Sequence, residues 1–568
     1  MKQTFFRLRP PNVWSLKANL GWHIAFFGIW LIVPAASLFG QFEQTAPSKY
    51  RIAFTDKLNS SFTLDSPEDF LSQRAIDRRK AQGISISSND LPVTQIYIDS
   101  LRNSGARILT VSKWFNAVTV QITDSSVLEK IASFSFVKKL PVQHAKIHVS
   151  AENINGIQQV NRSSDYDYGP SWWQTAVHNG QILHNKGYTG KNVVIAVIDA
   201  GFAYVDTLSV FNHLWENGRI LGYKDFMNPG SNIFREASHG MSVLSIISGY
   251  RPGELTGTAP DASFWLLRSE NVITEFIIEE DNWIAAAEFA DSAGADLINS
   301  SLGYSEFDDP SQNHSYADMN GNVARVSVAA DIAASKGILV VVSAGNQGNT
   351  AWKHITAPAD ADSALTIGAV GRSGLVAVFS SRGPSSDSDV KPNVMAVGQG
   401  TYVAGADGTF RSGNGTSYSA PVITGLAACL WQGNRDAKVM EIYKAICESG
   451  DRFYYPDENY GYGIPDFNLA DMMLKAEHGE FAQGSEILAF PNPFYNQLFI
   501  FFGDPIDSQV DITLFDLTGK EVYHRNYPEI TGRRLIVIDS DFRNLQKGLY
   551  IIKISAGSVS RNSKLVKY

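Results

Sequence analysis

The sequence predicts an α/β fold, a parallel sheet flanked by helices, preceded by a small α+β unit and followed by an all-β sandwich. Three observations point there. Continuous apolar runs, Val193-Val194-Ile195-Ala196-Val197-Ile198 and Ile338-Leu339-Val340-Val341-Val342, have the character of strands buried on both faces, and each ends in small or polar residues. Ahead of them, residues 49–142 mix alternating strands with charged helices. Beyond residue 487, short apolar strands are separated by turn signals. At 568 residues the chain is long enough for several domains and a large core.

Residues 1–40 have the layout of an export signal. Lys2, Arg7, Arg9 and Lys17 form a basic region, Ile24 to Val33 is strongly apolar, and Pro34-Ala35-Ala36-Ser37 supplies small residues before an expected cleavage near Gly40–Gln41. The alternative is an uncleaved membrane anchor, for which the apolar span is marginal in length. Residues 41–165 form the α+β unit and a polar linker. Its expected elements are a strand at Tyr50–Phe54 and a helix from Ser66-Pro67-Glu68-Asp69 through Arg79. A helix at Gln95–Asn103, strands at Arg107–Val111 and Ala117–Ile122, a helix at Ser125–Phe134 and a strand at Val137–Val142 follow.

The central domain is expected at 166–477. Asp199-Ala200-Gly201 ends its first buried strand, and open α/β sheets gather functional groups at the carboxyl ends of strands. Ser238-His239-Gly240 opens a helix. Ala295 to Gly303 and Ile338 to Asn346 are further strands ending in Ser301-Leu302-Gly303 and Ser343-Ala344-Gly345-Asn346. Small residues at such ends leave room for an extended peptide to add as a strand. Gly413-Asn414-Gly415-Thr416 then leads into Ser417, and after Pro421 the apolar run Val422 to Trp431 reads as a buried helix. A serine at a helix mouth sits beside unpaired N–H groups that favour a developing oxyanion. Taken singly, Ser417 is also an N-cap, Asp199 a turn residue, His239 a capping side chain and Asn346 a turn former.

Together these segments resemble the subtilisin-like serine proteases (subtilases, peptidase S8). Gly-Thr-Ser-x-Ser-Ala-Pro at 415–421 resembles the family's nucleophile motif, Val-Ile-Asp-Ala-Gly at 197–201 its aspartate motif, and His239-Gly240 its histidine motif. Met241 and Ser242 depart from the usual residues there. Phe379 to Pro384, Lys391 to Val394 and Gly461 to Pro465 add to the likeness. The resemblance implies a secreted serine endopeptidase with Asp199, His239 and Ser417 as catalytic residues and Asn346 as oxyanion donor. Ser301, Leu302, Gly303, Ser343, Ala344 and Gly345 would line the substrate cleft. The order Asp, His, Ser is the subtilase order. The same resemblance makes the N-terminal unit a propeptide, against a permanent domain. A catalytically inactive surface-binding protein of the same fold is the competing functional class.

A polar linker is expected at 478–486. In the last unit, 487–568, Pro491-Asn492-Pro493-Phe494, Asp516-Leu517-Thr518-Gly519-Lys520 and Lys547-Gly548-Leu549-Tyr550 resemble the C-terminal sorting domain of the type IX secretion system of Bacteroidetes. This implies passage through the periplasm to the medium or the outer-membrane surface; a generic β binding module is the alternative.

A net charge of −9 without a Lys/Arg cluster of the kind a phosphate footprint needs argues against nucleic acid as a main partner. Protein or peptide substrates and the secretion machinery are the expected partners, and a monomer the expected state. The chemistry requires no cofactor. Structural calcium often accompanies related proteases, but the acidic stretches at Asp308-Asp309 and Asp318 to Asn322 lack a complete calcium-loop spacing, so no metal ligands are assigned. Cys429 and Cys447 lie in apolar stretches and read as buried thiols ahead of a disulfide.

Overall fold

A computed structural model describes residues 42–139, 166–453, 455–479, 487–490, 492–494, 498–538, 542 and 544–567. The export signal, the processing linker and residues 480–486 lie outside the described residues. Among the described residues, no helix is long and apolar enough to cross a membrane.

The centre is a seven-stranded sheet, all neighbours parallel. It runs Val394–Val397, Leu365–Val370, Leu339–Ser343, Leu297–Ser300, Val194–Asp199, Ser263–Arg268, Ile220–Asp225. The chain enters at Val194–Asp199, builds towards one edge, then returns to lay Leu297–Ser300 on the other side of the entry strand. Ligand sites of open α/β sheets form at such a reversal, outside the carboxyl ends of the strands. Asp199 and Ser301 both sit there.

Alternation along Val194–Asp199 divides the core. Ile195 and Val197 pack into one cluster with helices His239–Ser248 and Thr416–Gly433; Val194, Ala196 and Ile198 pack into another with helices Ile278–Ala293 and Arg325–Ser335. Both Cys429 and Cys447 are buried free thiols, and burial raises each thiol above its usual range.

The N-terminal unit is a four-stranded antiparallel sheet in the order Glu43–Ala46, Lys49–Ala53, Ala117–Gln121, Arg107–Ser112, with helices Gln73–Gln82, Gln95–Asn103 and Ser125–Ala132. The strand Glu43–Ala46 was not foreseen. The single helix expected from Ser66 through Arg79 is two pieces, a turn at Pro67–Asp69 and the helix Gln73–Gln82, because Ser72 interrupts the run and caps the second piece through the Ala75 N–H. Val137 makes only an isolated bridge to Phe54, and residues 140–142 of the expected last strand lie outside the described residues.

The C-terminal unit is a single five-stranded antiparallel sheet. Two of its strands, Leu498–Phe515 and Glu521–Ile538, are far longer than the short segments expected, and register shifts between Phe501 and Val510 let them serve both halves of the unit. Both halves feed one core, which joins Leu498, Ile500 and Phe502 to Ile512, Leu514, Ile552 and Ile554.

Candidate active site

Asp199 is the last residue of its strand and its side chain is fully buried. Its Oδ1 accepts the Ala200 N–H at 2.7 Å and pairs with His239 Nδ1 at 2.8 Å. His239 is the first residue of its helix, and the residue after it has to be glycine. A β-carbon at Gly240 would lie 2.6 Å from the Gly201 carbonyl oxygen and 2.8 Å from Asp199 Cβ. This close approach brings the helix start onto the strand end. Burial works against a charged imidazole, but the Asp199 charge and hydrogen bond outweigh it, with help from Glu270, and hold His239 above its ordinary value of 6.5.

Ser417 lies in the first turn of the helix, which begins at Thr416 rather than after Pro421. Pro421 has no N–H to give the carbonyl four residues back, which is that of Ser417. That carbonyl accepts Ser301 Oγ at 2.9 Å instead, and Ser417 Oγ in turn donates to the Ser301 carbonyl at 3.2 Å. A proline inside the helix thus frees the oxygen that ties the turn of Ser417 to the sheet.

Asn346 is fixed by the same turn. Its Oδ1 accepts the Thr416 N–H at 2.9 Å and Thr416 Oγ1 at 3.0 Å, which leaves its NH₂ group as the donor end. The backbone of Ala344 is engaged internally, its N–H with Ile367 at 3.0 Å and its carbonyl with Thr356 at 3.3 Å. The Gly345 N–H reaches Thr416 Oγ1 at 3.2 Å and its carbonyl accepts from Ser381 at 3.0 Å. The backbone N–H and carbonyl groups of Ala344 and Gly345 are therefore engaged within the chain. Ser343 Oγ reaches the Leu302 carbonyl at 3.5 Å, so the two segments run side by side.

Profile comparison matches residues 190–463 to the subtilase family, 49–162 to the peptidase S8 propeptide domain of Bacteroidota, and 488–568 to a secretion system C-terminal sorting domain. Subtilisin of Bacillus pumilus is 31% identical over 281 residues, spanning 48% of this chain and 90% of that protein. The chain belongs to the subtilase family. Subtilisin E of Bacillus subtilis (strain 168) is 28% identical over 368 residues, covering 63% of this subtilase and 82% of the relative. Among solved structures, MycP1 from Mycobacterium smegmatis covers 57% of the chain and 89% of its own at 23% identity, with a TM-score of 0.41.

Sequence reasoning missed one residue that packs between the two segments, 301–303 and 343–345. Thr356 is buried, and its Oγ1 has no hydrogen-bond partner among the described residues. A β-carbon at Gly303 would lie 2.2 Å from that oxygen, and one at Gly345 2.9 Å from it. The threonine therefore fills the gap that the two glycines leave between the segments. No local signal marks it, because three separate stretches meet there only in the folded chain.

Two acidic groups bear on metal binding: Glu270, Glu275 and Glu279, mostly buried, and Asp362, Asp387 and Asp389, exposed. In the first, burial raises all three carboxyls, Glu275 to about 8. Glu270 and Glu279 hydrogen-bond each other, and the Tyr304 hydroxyl donates to Glu270. These hydrogen bonds engage Glu270 and Glu279, two of the three carboxyls. The oxygens of the group also fit a hard cation, since one from each residue falls within 4.8 Å of the others. Neither group coincides with the stretches weighed in the sequence.

Proposed function

We propose that this subtilase is a secreted serine endopeptidase that cleaves peptide bonds through an acyl-enzyme. Ser417 Oγ attacks the scissile carbonyl, His239 takes its proton, and Asp199 holds the imidazole in the tautomer with Nδ1 protonated and stabilises the cation that forms. The Asn346 NH₂ group and the Ser417 N–H stabilise the oxyanion; losing one such donor costs on the order of 10²–10³ in kcat. Water then resolves the acyl-enzyme with His239 again as base. The observation that carries the reading is the 2.8 Å pair between Asp199 and His239 at the carboxyl end of the sheet, beside the helix mouth that bears Ser417.

Ser301, Leu302 and Gly303 provide the edge along which an extended substrate lies. Ser343, Ala344 and Gly345 face it, with Thr356 closing the floor between them. No cofactor enters this chemistry. The division follows the sequence reading: signal 1–40, propeptide and linker 41–165, catalytic domain 166–477, linker 478–486, sorting domain 487–568. The C-terminal unit directs type IX secretion to the medium or the outer-membrane surface, and the enzyme acts as a monomer on proteins or peptides.

Labelling by a fluorophosphonate tests the reading. The wild type is labelled and Ser417→Ala is not, and the wild type alone sheds its N-terminal unit on incubation. Labelling requires neutral His239, which the Asp199 pair holds above its ordinary value, so the rate falls as pH drops through the raised midpoint of the imidazole. A folded, processed chain that takes no label, or a rate flat across that range, overturns the enzyme reading and leaves the surface-binding one.

A further inference from the structure

Tyr418, the neighbour of Ser417, has a role the triad does not assign. Its ring lies over the His239 imidazole, with centroids 6.1 Å apart and planes 24° from parallel. Its hydroxyl is turned towards Ser242, which stands three residues after His239 and so on the same face of that helix. Ser242 is anchored in its turn, its Oγ donating to the Ala404 carbonyl at 3.0 Å. Space for the ring comes from Gly413, where a β-carbon would lie 2.5 Å from a ring carbon. Tyr418 therefore reaches from the helix of Ser417 to the helix of His239 and faces it at His239 and Ser242.

We infer that Tyr418 is a positioning residue, whose ring, held by Ser242 through its hydroxyl, sets the orientation of the His239 imidazole towards Ser417. The inference rests on the triad reading. Asp199 secures only Nδ1, and the imidazole torsion about Cβ–Cγ is intrinsically broad. A single hydrogen bond fixes one atom and leaves the plane free to swing; an aromatic face alongside restricts it. The same face attracts the imidazolium that forms during proton transfer, as aromatic faces do for cations within about 6 Å. The other charged groups acting on His239 are Asp199, at the end of the neighbouring strand, and Glu270, just past the strand Ser263–Arg268.

The test has two arms. In the first, fluorophosphonate labelling rates are measured against pH for wild type, Tyr418→Leu, Tyr418→Phe and Ser242→Ala. Tyr418→Leu slows labelling on the order of 10–100-fold, the scale of a small misplacement of reacting groups. Tyr418→Phe and Ser242→Ala each lose several-fold, and their double variant loses no more than either, because both break one contact. In the second arm, His239 is titrated by NMR in a Ser417→Ala background. Tyr418→Leu lowers its midpoint and broadens its ring signals, and Tyr418→Phe largely restores both. An unlabelled wild type sinks the triad reading, yet the NMR arm still decides whether Tyr418 governs the imidazole. A Tyr418→Leu chain with wild-type labelling, or with the wild-type His239 midpoint and line widths, overturns the inference.

Discussion

The propeptide unit meets the catalytic domain through buried charges set around the ring of Trp114, whereas the C-terminal sheet meets it through rings and methylenes. At the first contact, Asp291 on the helix Ile278–Ala293 is fully buried among Arg78 at 2.6 Å, Arg79 at 2.9 Å and Lys113 at 3.1 Å, all from the propeptide unit. One turn earlier, Glu288 accepts from Ser112 Oγ at 2.6 Å and the Lys113 N–H at 2.7 Å. Asp281 pairs with Arg51 at 3.4 Å, and Glu43 reaches across to Arg325. At the second contact, Leu469, Met473 and Ala476 of the helix Phe467–Glu477 pack against Phe490, Phe499 and Phe501. These phenylalanines sit on the face of the strand opposite to Leu498, Ile500 and Phe502, which fill the C-terminal core. Charged faces are well solvated once apart, so the first contact is suited to separation. The second leaves an apolar patch whenever it opens.

The largest effect is expected at Asp291. Its carboxyl is buried, which opposes ionisation, but Lys113, Arg78 and Arg79 outweigh this and hold it at about 2 instead of 3.8. A depressed carboxyl contributes stability that is complete above its free value and fades as pH falls from 3.8 towards 2, so this contact holds through neutral and mildly acidic conditions. Asp291→Ala takes the shared carboxylate from three cations, of which Arg79 keeps a second one, Asp90 at 2.9 Å, a cost of about 3–5 kcal/mol. In full-length chain carrying Ser417→Ala, amide exchange across Arg107–Ser112 and Ala117–Gln121 should speed up on the order of 10²–10³-fold. Unchanged protection there would mean that charge does not hold the propeptide.

A smaller loss, about 2–3 kcal/mol, is expected for Met473→Asp, which places a charge in the apolar contact. Exchange should rise across Ile487–Phe490 and at Phe499 and Phe501 while the propeptide strands stay protected. Added salt separates the two contacts further. It weakens the propeptide contact modestly, since buried pairs are screened less than exposed ones, and leaves the C-terminal contact intact. If both variants loosened both flanks, the two contacts would not be independent.

The proposed site was legible in the sequence, and the two contacts were not, for one physical reason. Asp199, His239, Ser417 and Asn346 each sit in a short local pattern, a strand end or a helix start, that the chain writes out contiguously. Arg78 and Asp291 are joined across 213 residues, and nothing near either marks the pairing. The helix Ile278–Ala293 was not foreseen because almost all of it is buried, its acids included, so no polar face alternates with an apolar one. Ile220–Asp225 was missed as a half-exposed edge strand, and Ser263–Arg268 because Phe-Trp-Leu-Leu lacks β-branched residues. Pro421 concealed the true start of the helix of Ser417, since the missing N–H is visible in sequence and its replacement by Ser301 is not.

Glu275 sharpens the comparison by inverting it. Asp291 is a buried carboxyl among cations; Glu275 is a part-buried one beside Glu270 and Asp308, with desolvation and those like charges raising it from 4.5 to about 8. A carboxyl raised on folding binds a proton that the unfolded chain has released, so stability falls as pH climbs from 4.5 to about 8. Glu275→Gln removes that penalty and should stabilise the protein by on the order of 1 kcal/mol near pH 8, with little effect near pH 4. The measurement is the melting temperature of wild type and variant across that range, with chelator and then with added calcium. A gain in chelator that persists in calcium means that the glutamate group is held by protons. A gain that calcium turns into a loss means that the cluster is a cation site, where three charges that repel one another when empty become ligands once filled.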